Sequence, residues 1–455
     1  MPDSSLRHRL RRLRAAWNAT TPASETDARA TQADLRAAEH ALLAAQRQIA
    51  TLTARVAALE DGIGALRRPH GRPRVAFFSP VTPQASGIAA YSETLLPALA
   101  ALADVDVYIS DVTPTSPALM PLSVYDYRAY PARRRAQAYD ATFYQMGNDV
   151  RYHRFVYATL ARYPGVVVLH EFLLHHFMAG YTLDYGQRVD YPWEVGYAAG
   201  QDALTVARAA ERGERDLPFF DYPLVEHALD LSQGALCHSE YVRARIAAIR
   251  PDLPVAVVAH PTTVTAAARP PVADRPFTVI TAGYLTPAKG LLPALEGFAE
   301  FARAAPGARY VLVGAVEPEF DLAAWIRDSG IADRVELRGY APTLADFDAQ
   351  VAEADVCLNL RYPTGGETSG SLLRVLGVGV PAVITDTGWF SEVPDTVVIK
   401  IPAPPTAGDV ADALRVLAKP DRRATMSDAA RRWVAEAHNP ARTAQGYLDF
   451  VAALT

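Results

Sequence analysis

A repeat of apolar residues, spaced alternately three and four positions apart, runs along the chain from residue 35 to residue 66. Its a positions hold Leu, Ile or Val, and its d positions hold Ala and then Leu; the ten members are Leu35, Ala38, Leu42, Ala45, Ile49, Leu52, Val56, Leu59, Ile63 and Leu66. This heptad pattern predicts a coiled coil. Because so narrow a stripe cannot form a globular core, we expect a homo-oligomer joined through residues 35–66. The alternative is a single helix folded back on the rest of the protein.

From residue 74 onward, short apolar segments alternate with segments of helical periodicity, such as Ile88–Leu102 and Leu291–Ala304. This alternation predicts βαβ units with parallel sheets. The predicted strands of the first half are Val75–Ser79, Val105–Ile109, Thr142–Met146, Val166–His170, Ala235–His238 and Val255–Ala259. Those of the second half are Thr278–Ala282, Tyr310–Gly314, Val335–Arg338, Val356–Leu360, Ala382–Thr385 and Val397–Ile401.

These elements divide the chain into four parts. Residues 1–70 are predicted as a basic amphipathic segment and a coiled coil, and 74–265 as a first α/β domain. Residues 276–436 are predicted as a second α/β domain, and 437–455 as a helix that crosses back to the first. The stretch 264–275 has prolines and no periodicity, so we place the hinge there. Parallel sheets bind ligands beyond the carboxyl ends of their strands, which predicts a site in the cleft between the domains.

The composition narrows the class of protein. The chain has 455 residues, of which 50% are hydrophobic and 21% charged, as in folded globular proteins. A net charge of −5 gives no general attraction to nucleic acid. Two cysteines exclude a disulfide framework and a cysteine-rich zinc site, and they suit a reducing compartment. No apolar run reaches the length of a membrane-spanning helix, so we expect a cytoplasmic protein.

The basic segment 6–17 is the feature that indicates contact with a membrane surface. Leu6, Leu10, Leu13 and Trp17 share one helical face, and arginines flank it. A segment of this kind binds anionic lipid, which would place the protein peripherally at the inner face of the membrane. The alternative is a solvated basic tail.

The segment after the predicted strand Val356–Leu360 has the composition of an anion-binding loop. It contains three glycines between Arg361 and Ser371, together with the hydroxyl donors Thr368, Ser369 and Ser371, and a helix is predicted to begin near Ser371. Glycines let several N–H groups turn towards one anion, and the helix start adds a partial positive charge. Glu367 is the one carboxylate in this loop, and a sugar hydroxyl would give it a donor. The alternative is an ordinary acidic residue in a first helical turn.

A second candidate follows the first strand of the second half. There the chain reads Gly-Tyr-Leu-Thr-Pro-Ala-Lys-Gly from Gly283 to Gly290. Lys289 would stand at the start of a helix, point into the cleft and neutralise a phosphate. A lysine before a helix is common, but together with the Glu367 loop it indicates a site for a phosphorylated ligand.

The candidates in the first half are weaker. Gly87 begins a helix after the first strand, in a loop without the G-x-G-x-x-G pattern of nicotinamide dinucleotide sites. His170 emerges at the carboxyl end of its strand, with Glu171 after it. His175 and His176 lie on a Leu/Phe-rich helix and are interpreted as helix-packing residues. A metal site is the less favoured alternative, because the order His-Glu-x3-His-His is one residue longer than the His-Glu-x2-His of zinc proteases.

Three further polar residues, Asn148, His153 and Ser239, follow strands of the first half. For each of them, hydrogen bonding within the loop and contact with a substrate are equally open.

Taken together, these residues resemble the family 4 glycosyltransferases, which are retaining enzymes of the GT-B fold. The resemblance covers residues 75–435 and rests on five segments, Pro80–Tyr91, Tyr144–Asn148, Val166–His176, Ala282–Gly290 and Arg361–Pro381. It implies an α/β fold of two facing Rossmann-like domains with a cleft between them, here preceded by an N-terminal α-helical coiled-coil segment. It implies no essential metal and no other cofactor.

The resemblance implies a nucleotide-sugar donor, UDP- or GDP-linked, held mainly by the second domain, and an acceptor held mainly by the first. Lys289 matches the family's residue for the donor diphosphate, Glu367 the first acid of its Glu-x7-Glu motif, and His170 its histidine near the reacting centre. The implied donor-binding residues are Gly87, Gly283, Arg338, Arg361, Gly366, Thr368, Ser369, Gly370 and Ser371. The acceptor-side candidates are Asn148, His153 and Ser239.

Two positions depart from the family's pattern. The second acid of the motif, which holds the ribose, is absent, because Arg374 and Val375 stand where it would be. Tyr284 replaces a basic residue that often follows the glycine of the lysine loop. Arg338 or Arg361 is expected to supply that charge.

The resemblance implies a retaining hexosyltransferase that moves a sugar to a glycan, lipid-linked or other hydroxyl acceptor, in polysaccharide biosynthesis. Lys289 and the helix start would stabilise the diphosphate leaving group. No carboxylate of the first half is obviously placed as a nucleophile, which favours a front-face route over a covalent one. The alternative is a non-catalytic GT-B-like scaffold assembled through the coiled coil. A phosphorylase or a sugar-nucleotide epimerase is a third interpretation.

Overall fold

The structure is a computed structural model, which describes residues 25–66, 71–184, 190–265 and 275–454. The basic segment 6–17 and most of the expected hinge, 266–274, lie outside the described residues. Membrane contact and the position of the hinge therefore stay predictions.

The first sheet has seven parallel strands, and its central strands are buried on both faces. Its strands are β1 (Arg74–Phe78), β2 (Asp104–Ile109), β3 (Ser123–Asp126), β4 (Ala141–Met146), β5 (Val166–Leu169), β6 (Gly234–Cys237) and β7 (Val255–Val257). Their order is β3–β2–β1–β4–β5–β6–β7. Along β1, Val75 and Phe77 join one hydrophobic cluster, and Ala76 and Phe78 join another. Successive side chains point to opposite faces, so each face of the sheet has its own core.

The second sheet has six parallel strands. They are β8 (Thr278–Ala282), β9 (Arg309–Val313), β10 (Val335–Gly339), β11 (Val356–Asn359), β12 (Ala382–Thr385) and β13 (Val398–Ile401), in the order β10–β9–β8–β11–β12–β13. Val279 and Ile280 of β8 point to different hydrophobic clusters. This sheet is therefore also covered on both faces, as parallel sheets are.

Helices connect the strands of both sheets. Before and within the first sheet they are α1 (Glu25–Leu66), α2 (Gly87–Leu102), α3 (Tyr130–Ala136), α4 (Val150–Leu160), α5 (His175–Ala179), α6 (Asp190–Ala199), α7 (Gln201–Glu211), α8 (Glu226–Asp230) and α9 (Glu240–Ile249). From the second sheet onward they are α10 (Leu291–Ala302), α11 (Leu322–Asp328), α12 (Leu344–Ala352), α13 (Gly370–Val378), α14 (Ala407–Leu417), α15 (Pro420–Ala437) and α16 (Pro440–Leu454).

The α/β architecture predicted from the sequence is confirmed. Each predicted strand overlaps an observed one, and β3 is an additional strand at the edge of the first sheet. The side chains of β3 are exposed or half-buried, so its four residues lack the apolar run that marks the other strands.

Helix α1 lies against the first domain, where it contacts α6 and α8. Among the side chains of α1 that the structure describes, the buried ones are Glu39, Leu43, Ala50 and Ala54. The Glu39 carboxylate pairs with Arg208 of α7 at 2.9 Å. The face that docks is therefore not the predicted heptad stripe.

In the heptad stripe of α1, Leu35 and Leu42 are half-buried and the other described side chains are exposed, while the side chains of Ile63 and Leu66 lie outside the described ones. Ile49, Leu52, Val56 and Leu59 are 47%, 50%, 55% and 69% exposed. Self-association through this stripe stays a prediction, whereas packing of the helix on the rest of the protein is observed.

The C-terminal helix α16 packs against α2 of the first domain. The hydroxyl groups of Tyr447 and Tyr91 lie 2.7 Å apart, and Phe450 packs against Gly234 of β6. A helix at the end of the second domain thus completes the core of the first. None of the described helices is long and apolar enough to span a membrane.

Candidate functional site

The loop between β11 and α13 ends in a capped helix start. The Ser369 hydroxyl accepts the N–H of Leu372 at 3.2 Å, which caps α13. It also donates to the side chain of Asn359 at 3.3 Å, so the end of β11 fixes the cap. Ser371 stands in the first turn and accepts from the Asn359 amide at 3.3 Å. The partial positive charge of the helix start therefore faces the same end of the sheet as the predicted site.

Lys289 lies beside this helix start. It ends the short 3-10 turn Pro287–Lys289 after β8, and its buried Nζ donates to the carbonyl of Ala282 at 3.2 Å. A Cβ built on Gly283 would stand 3.0 Å from the Lys289 Nζ and 3.3 Å from the Ser371 Oγ. With φ at 112°, Gly283 also has a backbone conformation that favours glycine. The lysine and the helix start thus converge on a backbone without a side chain, where an anion can approach.

Burial, and then the positive charge of Arg361, lower the pKa of Lys289 to about 7. A buried amine with no carboxylate in direct contact loses its proton easily. An anion bound beside it would favour the charged form. The site is therefore suited to a phosphate that arrives with its own negative charge.

Glu367 is held by contacts within its own loop. Its Oε2 accepts the N–H of Gly365 at 2.8 Å and the hydroxyl of Thr364 at 3.1 Å. Its Oε1 forms an ion pair with Arg361. Arg361 therefore lies in the site beside Lys289 and Glu367. It is one of the two arginines expected to supply the positive charge that Tyr284 does not.

Arg338, the other arginine expected to supply this charge, does not lie beside Lys289, Arg361 and Glu367. Its guanidinium pairs with Glu336 at 2.9 Å and with Glu353 at 2.7 Å. β10 is the edge strand of the second sheet, two strands away from β8. The expectation that Arg338 belongs to the donor site is therefore corrected. Two nearby acidic residues bind its guanidinium group instead.

His170 belongs to a cluster of histidines in the first domain, in which it packs on His238, and His238 packs on His260 next to Gly370 at the start of α13. The Nε2 of His170 lies 2.9 Å from the amide oxygen of Gln145, which only accepts, so Nε2 carries the hydrogen and Nδ1 is an acceptor. The pKa of His170 is well below its ordinary value, because of burial and of nearby His238 and His260. His170 is therefore a neutral hydrogen-bonding group and not a cation.

The three acceptor-side candidates make local contacts in the structure. Ser239 caps α9, since its hydroxyl accepts the N–H of Val242 at 3.1 Å. His153 is buried, with its Nδ1 2.9 Å from the carbonyl of Asp149, and burial lowers its pKa to about 4. These contacts explain both residues through the local fold, and a contact with an acceptor stays a prediction.

Asn148 positions its neighbours. Its side-chain oxygen accepts the N–H of Phe177 in α5 at 2.9 Å, and its own N–H donates to Glu171 at 3.1 Å. His175 and His176 form the start of α5, where His175 bonds to the carbonyl of Tyr222 at 2.7 Å. The helix-packing interpretation of His175 agrees with this contact.

Glu171 is the functional candidate that the sequence reasoning left unassigned. From the sequence no first-half carboxylate was obviously placed as a nucleophile, and the structure places the Glu171 carboxyl group beside Gly365 and opposite Glu367. Burial, and then the charge of Glu367, raise the pKa of Glu171 to about 8. The sequence signal for Glu171 was its position directly after His170 at the end of a strand. The residue that it faces, Glu367, lies in the other domain, so the sequence could not pair the two.

The remaining glycines of the predicted site have different surroundings. A Cβ on Gly87 would meet no atom within 4 Å, so the start of α2 is open to a ligand. A Cβ on Gly366 would meet Phe172 at 3.0 Å, and one on Gly370 would meet the Nε2 of His260 at 3.2 Å. Gly366 and Gly370 therefore allow the two domains to approach each other closely.

The two domains are in direct contact around the site. The carbonyl of Gly365 accepts the N–H groups of Phe172 and Leu173 at 2.8 and 2.9 Å. The Glu392 carboxylate accepts the N–H groups of the first two residues of α9 at 3.1 and 2.7 Å. Thr368 approaches the carbonyl of His238 at 3.5 Å. The arrangement is that of a closed cleft.

Arg374 stands at the position of the missing second acid. Its guanidinium binds the buried Asp348 of α12 at 3.0 and 2.6 Å. Asp348 also accepts the hydroxyl of Thr265 at 2.8 Å. This position therefore serves an ion pair between α12 and α13.

Within the described part of the chain, no group of three or more His, Cys, Asp or Glu side chains is arranged to hold a metal ion.

Comparison with known sequences gives a match to part of the chain. Residues 276–419 match the profile of a family described as Glycosyl transferases group 1. The matched segment contains Lys289, Arg361 and Glu367. No curated protein sequence matches the chain.

Solved structures share the whole two-domain fold. Sucrose-phosphate synthase from Thermosynechococcus elongatus is 18% identical, with a TM-score of 0.57, over 84% of this chain and 100% of that one. The Anabaena protein HepE, in complex with UDP-glucose, is 14% identical, with a TM-score of 0.58, over 84% of this chain and 99% of that one. WaaG, a glycosyltransferase involved in lipopolysaccharide biosynthesis, is 13% identical, with a TM-score of 0.54, over 84% and 99%. The chain therefore has the GT-B fold of these proteins.

Proposed function

We propose that this protein is a glycosyltransferase that moves a sugar from a nucleoside diphosphate sugar to a hydroxyl acceptor. The observation that carries the proposal is the convergence of the Lys289 Nζ and the first turn of α13 on Gly283. A cation and a helix start together match a diphosphate. The family match over 276–419 and the UDP-glucose bound by HepE support the same assignment.

The site suggests how the transfer proceeds. Negative charge develops on the diphosphate as the bond to the sugar breaks, and Lys289, Arg361 and the start of α13 stabilise it there. This set needs no metal ion, so we propose a metal-independent reaction. The closed contacts between the domains would keep water away from the donor.

We propose retention of configuration by a front-face route. Glu171 is the carboxyl group of the first domain that faces Glu367, and it keeps its proton at neutral pH because its pKa is raised to about 8. A protonated carboxyl group is a poor nucleophile, which argues against a covalent sugar intermediate on Glu171. The acceptor is proposed as a glycan or lipid-linked hydroxyl group, in the cytoplasm.

The experiment is an assay of nucleoside diphosphate release from UDP-glucose, UDP-galactose and GDP-mannose, with and without EDTA. We expect release from one donor class, unaffected by EDTA and reduced at least a hundredfold in Glu367→Gln. Nucleotide binding without release from any donor, with or without acceptor glycans, would favour the non-catalytic scaffold. The Arg374–Asp348 pair at the position of the ribose acid is the observation that keeps this second candidate.

We also propose that α1 joins two copies of the protein in parallel. The heptad residues Ile49, Leu52 and Val56 are exposed, and burial of these apolar side chains against a second helix would be favourable. The opposite face of α1 packs on the protein, so the heptad face is accessible to a second copy. In this register Arg55 is at a g position and residue 60, a glutamate, at the following e position. These two positions are adjacent between chains of a parallel coiled coil, so opposite charges would meet.

A further inference from the structure

Glu171 is fixed in place on the first-domain side of the site. It follows His170 at the carboxyl end of β5, and its Oε1 accepts the N–H of Asn148 at 3.1 Å. The side chain of Asn148 accepts the N–H of Phe177 at 2.9 Å. The loop after β4 and helix α5 therefore hold the carboxyl group, which remains partly accessible from the cleft.

Its other oxygen faces the loop of the second domain that carries Glu367. A Cβ built on Gly365 would stand 3.4 Å from the Glu171 Oε2 and 3.5 Å from the Glu367 Oε2. The two carboxyl oxygens are therefore no farther apart than the sum of these two distances. Because Gly365 has no side chain, the space beside the two carboxyl groups is not filled by this residue. Its carbonyl, held by Phe172 and Leu173, fixes the two loops against each other.

The two carboxyl groups have different surroundings. Glu367 pairs with Arg361 and accepts a backbone N–H, so its negative charge is stabilised. For Glu171, burial and the charge of Glu367 raise the pKa to about 8, and contacts with Asn148 and the charge of Arg361 offset only part of this effect. At neutral pH the Glu171 carboxyl group therefore donates a hydrogen bond, whereas Glu367 is held by a guanidinium group and a backbone N–H.

We propose that Glu171 is a specificity-determining residue that binds a hydroxyl group of the transferred sugar, opposite Glu367. The inference rests on the proposed function and adds the contact that the first domain makes with the donor. A sugar hydroxyl both donates and accepts, so it satisfies a carboxylic acid and a carboxylate at once. A bare nucleoside diphosphate has no sugar beyond the phosphates and cannot make this contact.

The test measures the affinities of UDP and UDP-glucose for the full chain by titration calorimetry. Glu171→Ala should weaken the binding of UDP-glucose about tenfold, which is the usual effect of losing one buried hydrogen bond. The same variant should bind UDP within about twofold of the unchanged protein. Glu171→Gln, which can still donate and accept, should lose less affinity for UDP-glucose than Glu171→Ala and remains informative if the alanine variant fails to fold.

The matched control is Glu211→Ala, which removes an exposed carboxylate of α7 in the same domain. It should leave both affinities unchanged. An equal loss of UDP and UDP-glucose affinity in Glu171→Ala would show a merely structural role and overturn the inference, as would no loss of either. If UDP, GDP and ADP and their sugars all fail to bind the unchanged protein, the proposed function falls and this inference falls with it.

Discussion

At the scale of single residues, Lys289 combines a cationic role with complete burial. Its pKa of about 7 means that the free protein loses this charge as the pH rises through 7. Binding of a diphosphate raises the pKa again, because the bound anion favours the charged amine. Binding therefore takes up a proton above pH 7 and takes up little below it.

This predicts that UDP-glucose binds at least tenfold more weakly at pH 8 than at pH 6, because loss of the Lys289 proton alone accounts for about tenfold. Its diphosphate is esterified at both ends and does not titrate in this range. Calorimetry in two buffers of different ionisation enthalpy should give an uptake of at least about 0.9 proton at pH 8, of which Lys289 alone contributes about 0.9. Equal affinity and no proton uptake at pH 8 would show that Lys289 does not contact the diphosphate.

Arg361 and Arg338 form a matched pair for a second prediction. Arg361 lies beside Lys289 and Glu367, whereas Arg338 is bound by surface acids at β10. We expect Arg361→Gln to weaken nucleotide-sugar binding about tenfold, as for the loss of a charged hydrogen bond, and Arg338→Gln to leave it unchanged. Calorimetry with UDP-glucose checks both variants. A loss confined to Arg338→Gln would contradict the geometry of the site.

Most of the second-domain site could be predicted at the residue scale, because glycines, a lysine and a hydroxyl-rich helix start leave local signals. The Glu367 loop and Lys289 are examples, and their roles as ligands stay predictions. Glu171 could not be assigned, since what makes it a candidate is a carboxylate of the other domain. Arg338 was misplaced because Glu353 comes close to it only in the fold, where it joins Glu336 of the same strand in binding the guanidinium group.

At the scale of elements, α1 has two faces with different partners. The heptad pattern predicted a helix, and the structure has one from Glu25 to Leu66. The docked face could not be predicted, because its buried Glu39 finds Arg208 more than a hundred residues away along the chain. The spacing of apolar residues identifies an apolar face of the helix. It does not show which of the two faces of α1 packs on the rest of the protein.

The exposed stripe predicts a dimer of the full chain. The double variant Ile49→Glu, Leu52→Glu places charges in the proposed interface and should give a monomer, while the unchanged protein sediments as two chains. Thr51→Glu alters an exposed position of the same helix outside the stripe and should remain dimeric. Analytical ultracentrifugation distinguishes the two states. A monomeric unchanged protein at micromolar concentration would contradict the proposed dimer.

At the scale of the whole molecule, the two sheets meet through loops at the carboxyl ends of their strands. The strands themselves were predictable, because both sheets are buried on two faces and their strands form continuous apolar runs. The contacts of Gly365 with Phe172 and of Glu392 with α9 were not, since backbone groups and a surface acid carry no pattern. The closed arrangement brings Glu171, Glu367 and Lys289 into one site, and the central claim is that this site binds a nucleoside diphosphate.

The measurement that tests this claim most directly is the thermal unfolding of the full chain with UDP, GDP and ADP. Ligand that binds only the folded protein stabilises it by about 2.7 kcal/mol at a hundred times its dissociation constant. We predict a rise of the unfolding midpoint with one of the three nucleotides, and no rise in Lys289→Met, which keeps the volume but not the charge. Unchanged midpoints with all three at millimolar concentration, in well-folded protein, would contradict the account.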